Sequence, residues 1–285
     1  MNETPLSGLS AIADDYDAVL CDVWGVLHNG VAPHHGAVDA LTRLRGAGKA
    51  VLLITNAPRP ASSVIAQLRD IGVPDGAFDA VVSSGDVVRQ HMDAAGYRSV
   101  FHLGPARDHC LFEGTGVAFH PHIPKAGVDA IVATDLLRRE ETPDDYREKL
   151  AGLVPLGLPF VCANPDLVVE RGGSIIYCGG SLARVYEEEG GTALQFGKPH
   201  LPIYDLARAK IAEIKPDAAR ILAIGDGLPT DIDGANRQGL DVLFVTNGIH
   251  VDELGEEDRP DPAKVAARLA AEGLAARDFM PRLSW

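Results

Sequence analysis

Residues 18–26 read AVLCDVWGV, an unbroken apolar run, Ala18 to Cys21, that ends on Asp22. A short run of this kind, with no polar alternation, reads as a strand buried on both faces of a parallel sheet. The same unit recurs outward from it. A helix is expected at about 37–46, with Val38, Leu41 and Leu44 on one face and Gly46 and Gly48 to stop it. Ala50 to Ile54 (AVLLI) is the next strand. Pro60 opens another helix, with Val64, Ile65 and Leu68 facing inward and Gly72 ending it. Ala80 to Ser83 (AVVS) is a third strand.

Further along, 99–104 (SVFHLG), 128–133 (VDAIVA) and 159–163 (PFVCA) read as strands, with a helix at 143–151. Strands at 221–224 (ILAI) and 241–245 (DVLFV) follow, and 261–272 reads as a closing helix. Alternating strands and helices predict an α/β fold, a Rossmann-like, doubly wound parallel sheet. The middle segment has its own alternation. It predicts an inserted α/β domain at 86–179, with 1–85 and 180–285 forming the main domain.

The length of 285 residues suits a main domain plus a smaller one. The formal net charge of -14 repels nucleic-acid phosphates and anionic lipid, so neither is an expected partner. No apolar stretch reaches membrane-spanning length, and the N-terminal segment lacks the basic-then-apolar pattern of a signal peptide. Cys21, Cys110, Cys162 and Cys178 form no CxxC pair, which argues against zinc. They read as small buried residues of a cytoplasmic protein. Nothing in the sequence sets oligomeric state, and a homo-oligomer is compatible with it.

Ligands in such sheets bind beyond the carboxyl ends of the strands. The first polar residues after the apolar runs are Asp22, then Thr55 and Asn56, then Lys198 after ALQFG, then Asp226, with Asp231 one short loop on. Carboxylates of this set suit a hard ion such as Mg²⁺. Lys198 and the metal would neutralise a phosphate, and Thr55 with nearby backbone N–H groups would bond its oxygens. Asp22 would attack phosphorus in line to give an aspartyl-phosphate, which water then releases. The partner so implied is a small phosphorylated metabolite.

At these residues the chain resembles the haloacid-dehalogenase-like hydrolase superfamily. The matching segments are Asp22-Val-Trp-Gly-Val26, Ile54-Thr55-Asn56, Gly197-Lys198-Pro199 and Gly225-Asp226-Gly-Leu-Pro-Thr-Asp231. The spacing resembles class IIA, whose cap is inserted between the second and third motifs, where the middle segment lies. Asn164-Pro165-Asp166 is similar to a recurring class IIA cap segment, which implies contact with substrate for Asn164 and Asp166. The resemblance implies a Mg²⁺-dependent phosphatase with Asp22, Asp226, Asp231 and the backbone carbonyl of Trp24 around the metal.

Trp24 departs from the family pattern. Phosphatases of this superfamily usually carry a second Asp there, which protonates the leaving oxygen and then activates water. An indole N–H donates a hydrogen bond but does not exchange its proton near neutral pH. Binding is thus expected to survive while proton transfer suffers, so a metabolite-binding module with little turnover is the alternative. His28 is the nearest titratable substitute. A dehalogenase would not need the Asp226–Asp231 pair, and a phosphonatase lysine would have to be Lys125 or Lys149, neither in a supporting motif.

Plainer roles compete at several positions. Asp226 and Asp231 could be helix N-caps, Asn164 and Asp166 turn residues, and Trp24 a packed aromatic. His34, His35, His120 and His122 sit in Pro-rich loops without a third ligand nearby, so solvated loops are expected there. Glu187 to Glu189 reads as a solvated helix end.

Overall fold

The computed structural model describes residues 4–171, 174–249, 251–256 and 258–285. In chain order the strands are β1 (Ala18–Asp22), β2 (Ala50–Thr55), β3 (Ala80–Ser83), β4 (Ser99–Leu103), β5 (Ala118–His120), β6 (Ala130–Ala133), β7 (Phe160–Cys162), β8 (Val168–Arg171), β9 (Ser174–Tyr177), β10 (Ala193–Gln195), β11 (Ile221–Gly225), β12 (Asp241–Val245), β13 (Gly255–Glu256), β14 (Arg259–Pro260) and β15 (Asp278–Met280). Six of them form one parallel sheet in the order β15-β12-β11-β1-β2-β3. Five form a second parallel sheet in the order β10-β7-β6-β4-β5.

The central strand shows why the run AVLC carries no alternation. Val19 and Cys21 pack with Val51 and Leu53 against Leu41 and Leu44 of the helix His35–Gly46 and Leu68 of the helix Ala61–Asp70. Ala18 and Leu20 face the other way, packing with Leu52 and Ile54 against Ile203, Tyr204 and Ala207 of the helix Leu201–Ile214. Both faces are dry, so both parities are apolar. Each such fully buried leucine contributes about 1.5–3 kcal/mol. The helix from His35 buries Ala37, Ala40, Leu41 and Leu44, a spacing of three and four that lays one stripe on the sheet.

The sheets divide the chain differently from the expected 86–179. The helix Gly179–Glu188 packs Leu182, Ala183, Val185 and Tyr186 into the apolar core of the second sheet. β10 then hydrogen-bonds beside β7 in that sheet. The inserted unit therefore runs to Gln195, because the short run ALQ pairs with FVC and not with a strand of the main sheet. At the other end, position 86 falls inside the helix Ser84–Ala94, which is the joint itself. Its Val87 packs with the main sheet while Val88 and Met92 pack with the inserted unit. A Ser83–Asp86 capping box starts that helix, and Asp86 also accepts the Ala61 N–H of the neighbouring helix.

Sequence patterning does not announce the β8–β9 hairpin, the short edge strand β5 or the last strand β15. They are three or four residues long and set by pairing rather than by periodicity. Among the described residues no helix is long and apolar enough to cross a membrane.

Candidate functional site

Asp22 ends β1, Thr55 ends β2, and Asp226 follows β11, so parallel neighbours bring all three to one edge of the main sheet. Asp231 lies in a π-helical turn, Leu228–Ile232, and its Oδ2 accepts the Gly227 N–H at 3.0 Å. That back-bond folds the loop over so that its carboxylate joins the others. Ligand oxygens of Asp22, Asp226 and Asp231 all lie within 4.8 Å of one another, and all three residues are buried. The Ile249 N–H donates to Asp226 Oδ2 at 3.0 Å. Gly25 comes so close that a β-carbon there would run into the Asp226 carboxylate, and its φ of +89° is one that side chains rarely adopt.

Lys198 reaches the site by another route than expected. It follows β10 of the inserted sheet, and its loop crosses to the main sheet. The Lys198 ammonium, 3% exposed, bonds the carboxylate of Asp22 and, at 2.7 Å, Asp231 Oδ1. Burial alone would lower its pKa, but Asp22, Asp231 and Asp166 more than reverse this and hold it well above the usual lysine range. Burial raises Asp22 well above the usual carboxylate range, with Asp231 and Asp226 adding to the rise and Lys198 opposing it. Burial and then Asp231 push Asp226 up to about 7.

Three carboxylates and one ammonium leave two negative charges in a buried cluster. Such a cluster must take up protons or a cation. Hard oxygen donors at this spacing fit a divalent cation such as Mg²⁺, whose charge would let the acids stay ionised.

Asn56 is turned away from the role expected of it. Its Oδ1 accepts the Lys198 backbone N–H at 2.7 Å, and its Nδ2 donates to the Lys198 carbonyl at 3.1 Å and to Asp166 Oδ1 at 2.8 Å. Both amide hydrogens and the carbonyl oxygen are thereby engaged within the protein. Asp166, half-buried, consequently ties the inserted unit to the main sheet, and burial raises its carboxyl while Lys198 and Asn56 oppose this. Asn164 is a turn residue: its Oδ1 accepts the Asp166 N–H at 3.3 Å. Thr55 is buried, and its hydroxyl accepts the Ala57 N–H at 3.2 Å.

Trp24 is half-buried, edge-on to His28 with ring centroids 5.0 Å apart and planes at 74°. Gly30 lies against the Trp24 ring with φ +81°, leaving no room for a β-carbon. His28 is buried, and its Nδ1 accepts the Gly30 N–H at 2.9 Å, so the proton of the neutral ring sits on Nε2. Both rings thus help shape the loop between β1 and the first long helix. His34 is not solvated as expected: it is half-buried at the start of that helix, and burial lowers its pKa. Among the described residues no histidine joins a metal-ligating cluster.

Sequence reading passed over the loop after β12. The rule that picked Asp22 and Thr55 would also have picked Thr246 and Asn247, which lead to the Ile249 N–H on Asp226. Arg59, Asp108 and Asp135 were passed over as well. Arg59 follows Thr55 by four residues, and its Nε lies 3.9 Å from Asp108 Oδ1 of the inserted unit.

A family model described as haloacid dehalogenase-like hydrolase matches residues 19–118, and a HAD-hydrolase-like model matches 195–271. The chain is similar to the crystal structure of a haloacid dehalogenase-like hydrolase from Brucella suis, at 41% identity and TM-score 0.85, over 98% of this chain and 99% of that one. The protein belongs to the haloacid dehalogenase-like hydrolase family. It is 28% identical to D-glycerol 3-phosphate phosphatase of Mycobacterium tuberculosis over 85% of this chain, and spans 66% of that relative's length. A solved glycerol phosphate phosphatase from the same organism, in complex with magnesium, is 27% identical with TM-score 0.65, over 84% of this chain and 70% of that one.

Proposed function

We propose that the protein is a Mg²⁺-dependent phosphatase of a small organic phosphate, such as a sugar phosphate or nucleotide, with Asp22 as nucleophile. The carrying observation is the buried constellation itself: Asp22, Asp226 and Asp231 within 4.8 Å of one another, with Lys198 bridging Asp22 and Asp231. Asp22, Asp226, Asp231 and the Trp24 carbonyl would hold the cation. Magnesium, when bound, supplies positive charge that offsets the charge of the substrate's phosphoryl oxygens.

The chain's own groups do the rest. Lys198 orients the Asp22 carboxylate and adds a second positive charge beside the phosphoryl group. The Thr55 hydroxyl and backbone N–H groups after β2 bond the phosphoryl oxygens. Asn56 fixes Lys198 rather than touching substrate. Asp22 attacks phosphorus, the P–O bond to the leaving group breaks, and water later cleaves the aspartyl-phosphate.

The test is phosphate release from sugar phosphates, nucleotides and an aryl phosphate, with and without Mg²⁺. Release that requires Mg²⁺ and vanishes in Asp22→Asn is expected. No release, or release that survives that substitution, overturns the reading. A second reading rests on Trp24. With an indole in place of a carboxylate at that position, proton transfer to the leaving group lacks the acid that phosphatases of this superfamily usually carry there. The protein would then bind phosphometabolites with little turnover.

A further inference from the structure

The parallel strands of the inserted sheet aim their carboxyl ends at the main sheet. Asp108 follows β4 in the turn Ala106–Leu111, and Thr134 and Asp135 follow β6 on the neighbouring strand. Across from them is Arg59, on the loop that begins at Thr55.

Asp108 is 1% exposed, yet its Oδ2 has no hydrogen-bond partner among the described residues. The Thr134 hydroxyl beside it is 2.9 Å from His102 Nε2. The Arg59 guanidinium, with its Nε 3.9 Å from Asp108 Oδ1, is beyond hydrogen-bond reach and donates instead to Gln67 at 2.6 Å. Arg107 is spent on Asp135 at 2.6 Å. A buried carboxylate oxygen with no donor is costly, and such orphans in native proteins call for an explanation. Here the orphan sits on the side of the inserted unit that faces Arg59, four residues beyond Thr55 of the main sheet.

We propose that Asp108 is a specificity residue that accepts a hydrogen bond from a hydroxyl or ammonium group on the leaving portion of the substrate. The inference rests on the phosphatase reading above and narrows it. Arg107 is paired with Asp135, Asp166 is held by Asn56 beside Lys198, and Asp108 faces Arg59 at 3.9 Å with one oxygen unpartnered among the described residues. A carboxylate on the leaving group would offer the Asp108 oxygen no donor and would meet its charge, whereas a polyol or amino alcohol supplies the missing donor.

The experiment compares kcat/KM for glycerol 3-phosphate, phosphoethanolamine, phosphoglycolate and p-nitrophenyl phosphate in the native protein, Asp108→Ala and Asp108→Asn. The native protein is expected to favour the two donor-bearing esters over phosphoglycolate by about tenfold or more. Asp108→Ala is expected to lower kcat/KM for those two by about 10–100-fold, chiefly through KM, and by about tenfold more than for the aryl phosphate. Asp108→Asn keeps the shape, removes the charge and is expected to raise phosphoglycolate relative to phosphoethanolamine; it decides the matter if the alanine variant does not fold. An equal loss on all four esters, no loss on the donor-bearing ones, or a native preference for phosphoglycolate overturns the proposal. Should the native protein release phosphate from none of the four, the phosphatase reading fails separately. Calorimetric affinities for the same compounds with Mg²⁺ then decide: the same ranking supports the role of Asp108, and no ranking ends it.

Discussion

Asn56 and Lys198 are joined in both directions, the Lys198 N–H on the Asn56 side-chain oxygen at 2.7 Å and the Asn56 amide on the Lys198 carbonyl at 3.1 Å. The two residues belong to different sheets by origin, Asn56 following β2 and Lys198 following β10. Their pairing is what carries a loop from the inserted unit into the carboxylate cluster. Asn56→Ala leaves two buried backbone groups without partners, so a loss of about 1–3 kcal/mol is expected in urea unfolding. Activity should fall at least about tenfold because the ammonium is no longer held against Asp22 and Asp231. Unchanged activity at intact stability would show that Lys198 is positioned by its ion pairs alone.

Mg²⁺ should raise thermal stability, because the cluster carries excess negative charge that only the folded state gathers. At a free concentration a hundredfold above Kd the gain is about 2.7 kcal/mol. Asp226→Asn removes one of the three acids, and the Mg²⁺-dependent rise in Tm should shrink or disappear. In the absence of metal the same variant is expected to be no less stable than the native protein, since burial disfavours the Asp226 carboxylate. A Tm that ignores Mg²⁺ in both proteins would count against a metal site here.

Trp24→Asp places a carboxyl where proton transfer to the leaving group is needed. A positioned acid/base is worth about 10²–10⁴-fold, so a gain in kcat of at least about tenfold on an alkyl phosphate is expected. An aryl phosphate, whose leaving group needs less protonation, should gain less. The measurement is kcat on both esters, with unfolding curves to confirm that the loop around His28 and Gly30 survives. No gain in a folded variant would mean that proton donation does not limit the rate.

His102 gives the inserted unit a pH dependence whose sign is fixed by burial. Burial, and then His109, lower its pKa from 6.5 to about 4, so the unfolded chain takes up a proton first as pH falls. The stability this contributes is complete above about pH 6.5 and is lost as pH drops toward 4, about 3 kcal/mol in all. Asp135 acts oppositely: burial raises it to about 6, so protonation relieves it over part of the same window. His102→Gln keeps a side-chain amide near Thr134 but does not titrate. Its stability relative to the native protein should therefore rise as pH falls from 7 to 4, read by urea unfolding at each pH. A difference independent of pH would refute the assignment.

Strand positions in the main sheet were legible because both faces are buried, which leaves an unmistakable apolar run at β1, β2, β11 and β12. Site residues at those strand ends followed directly, since a parallel sheet puts every carboxyl end on one edge. The run ALQ before Lys198 carried no such signal, being three residues long, and its partner strand lies over thirty residues away. The side-chain amide of Asn56 was equally unreadable: an Asn after a strand is the same in sequence whether it faces a ligand or a lysine backbone.

Sequence by itself thus determined the α/β class, the order of the main elements and the set of acids, one lysine and one threonine that gather at the sheet edge. Those follow from local patterning and from the fixed geometry of parallel strands. Only the tertiary structure decided that β10 belongs to the inserted sheet, that Asn56 serves Lys198, and that Asp108 keeps a carboxylate oxygen buried without a donor among the described residues. Each of these depends on which surfaces meet across the two sheets, and contact between distant segments leaves no periodic trace in a single chain.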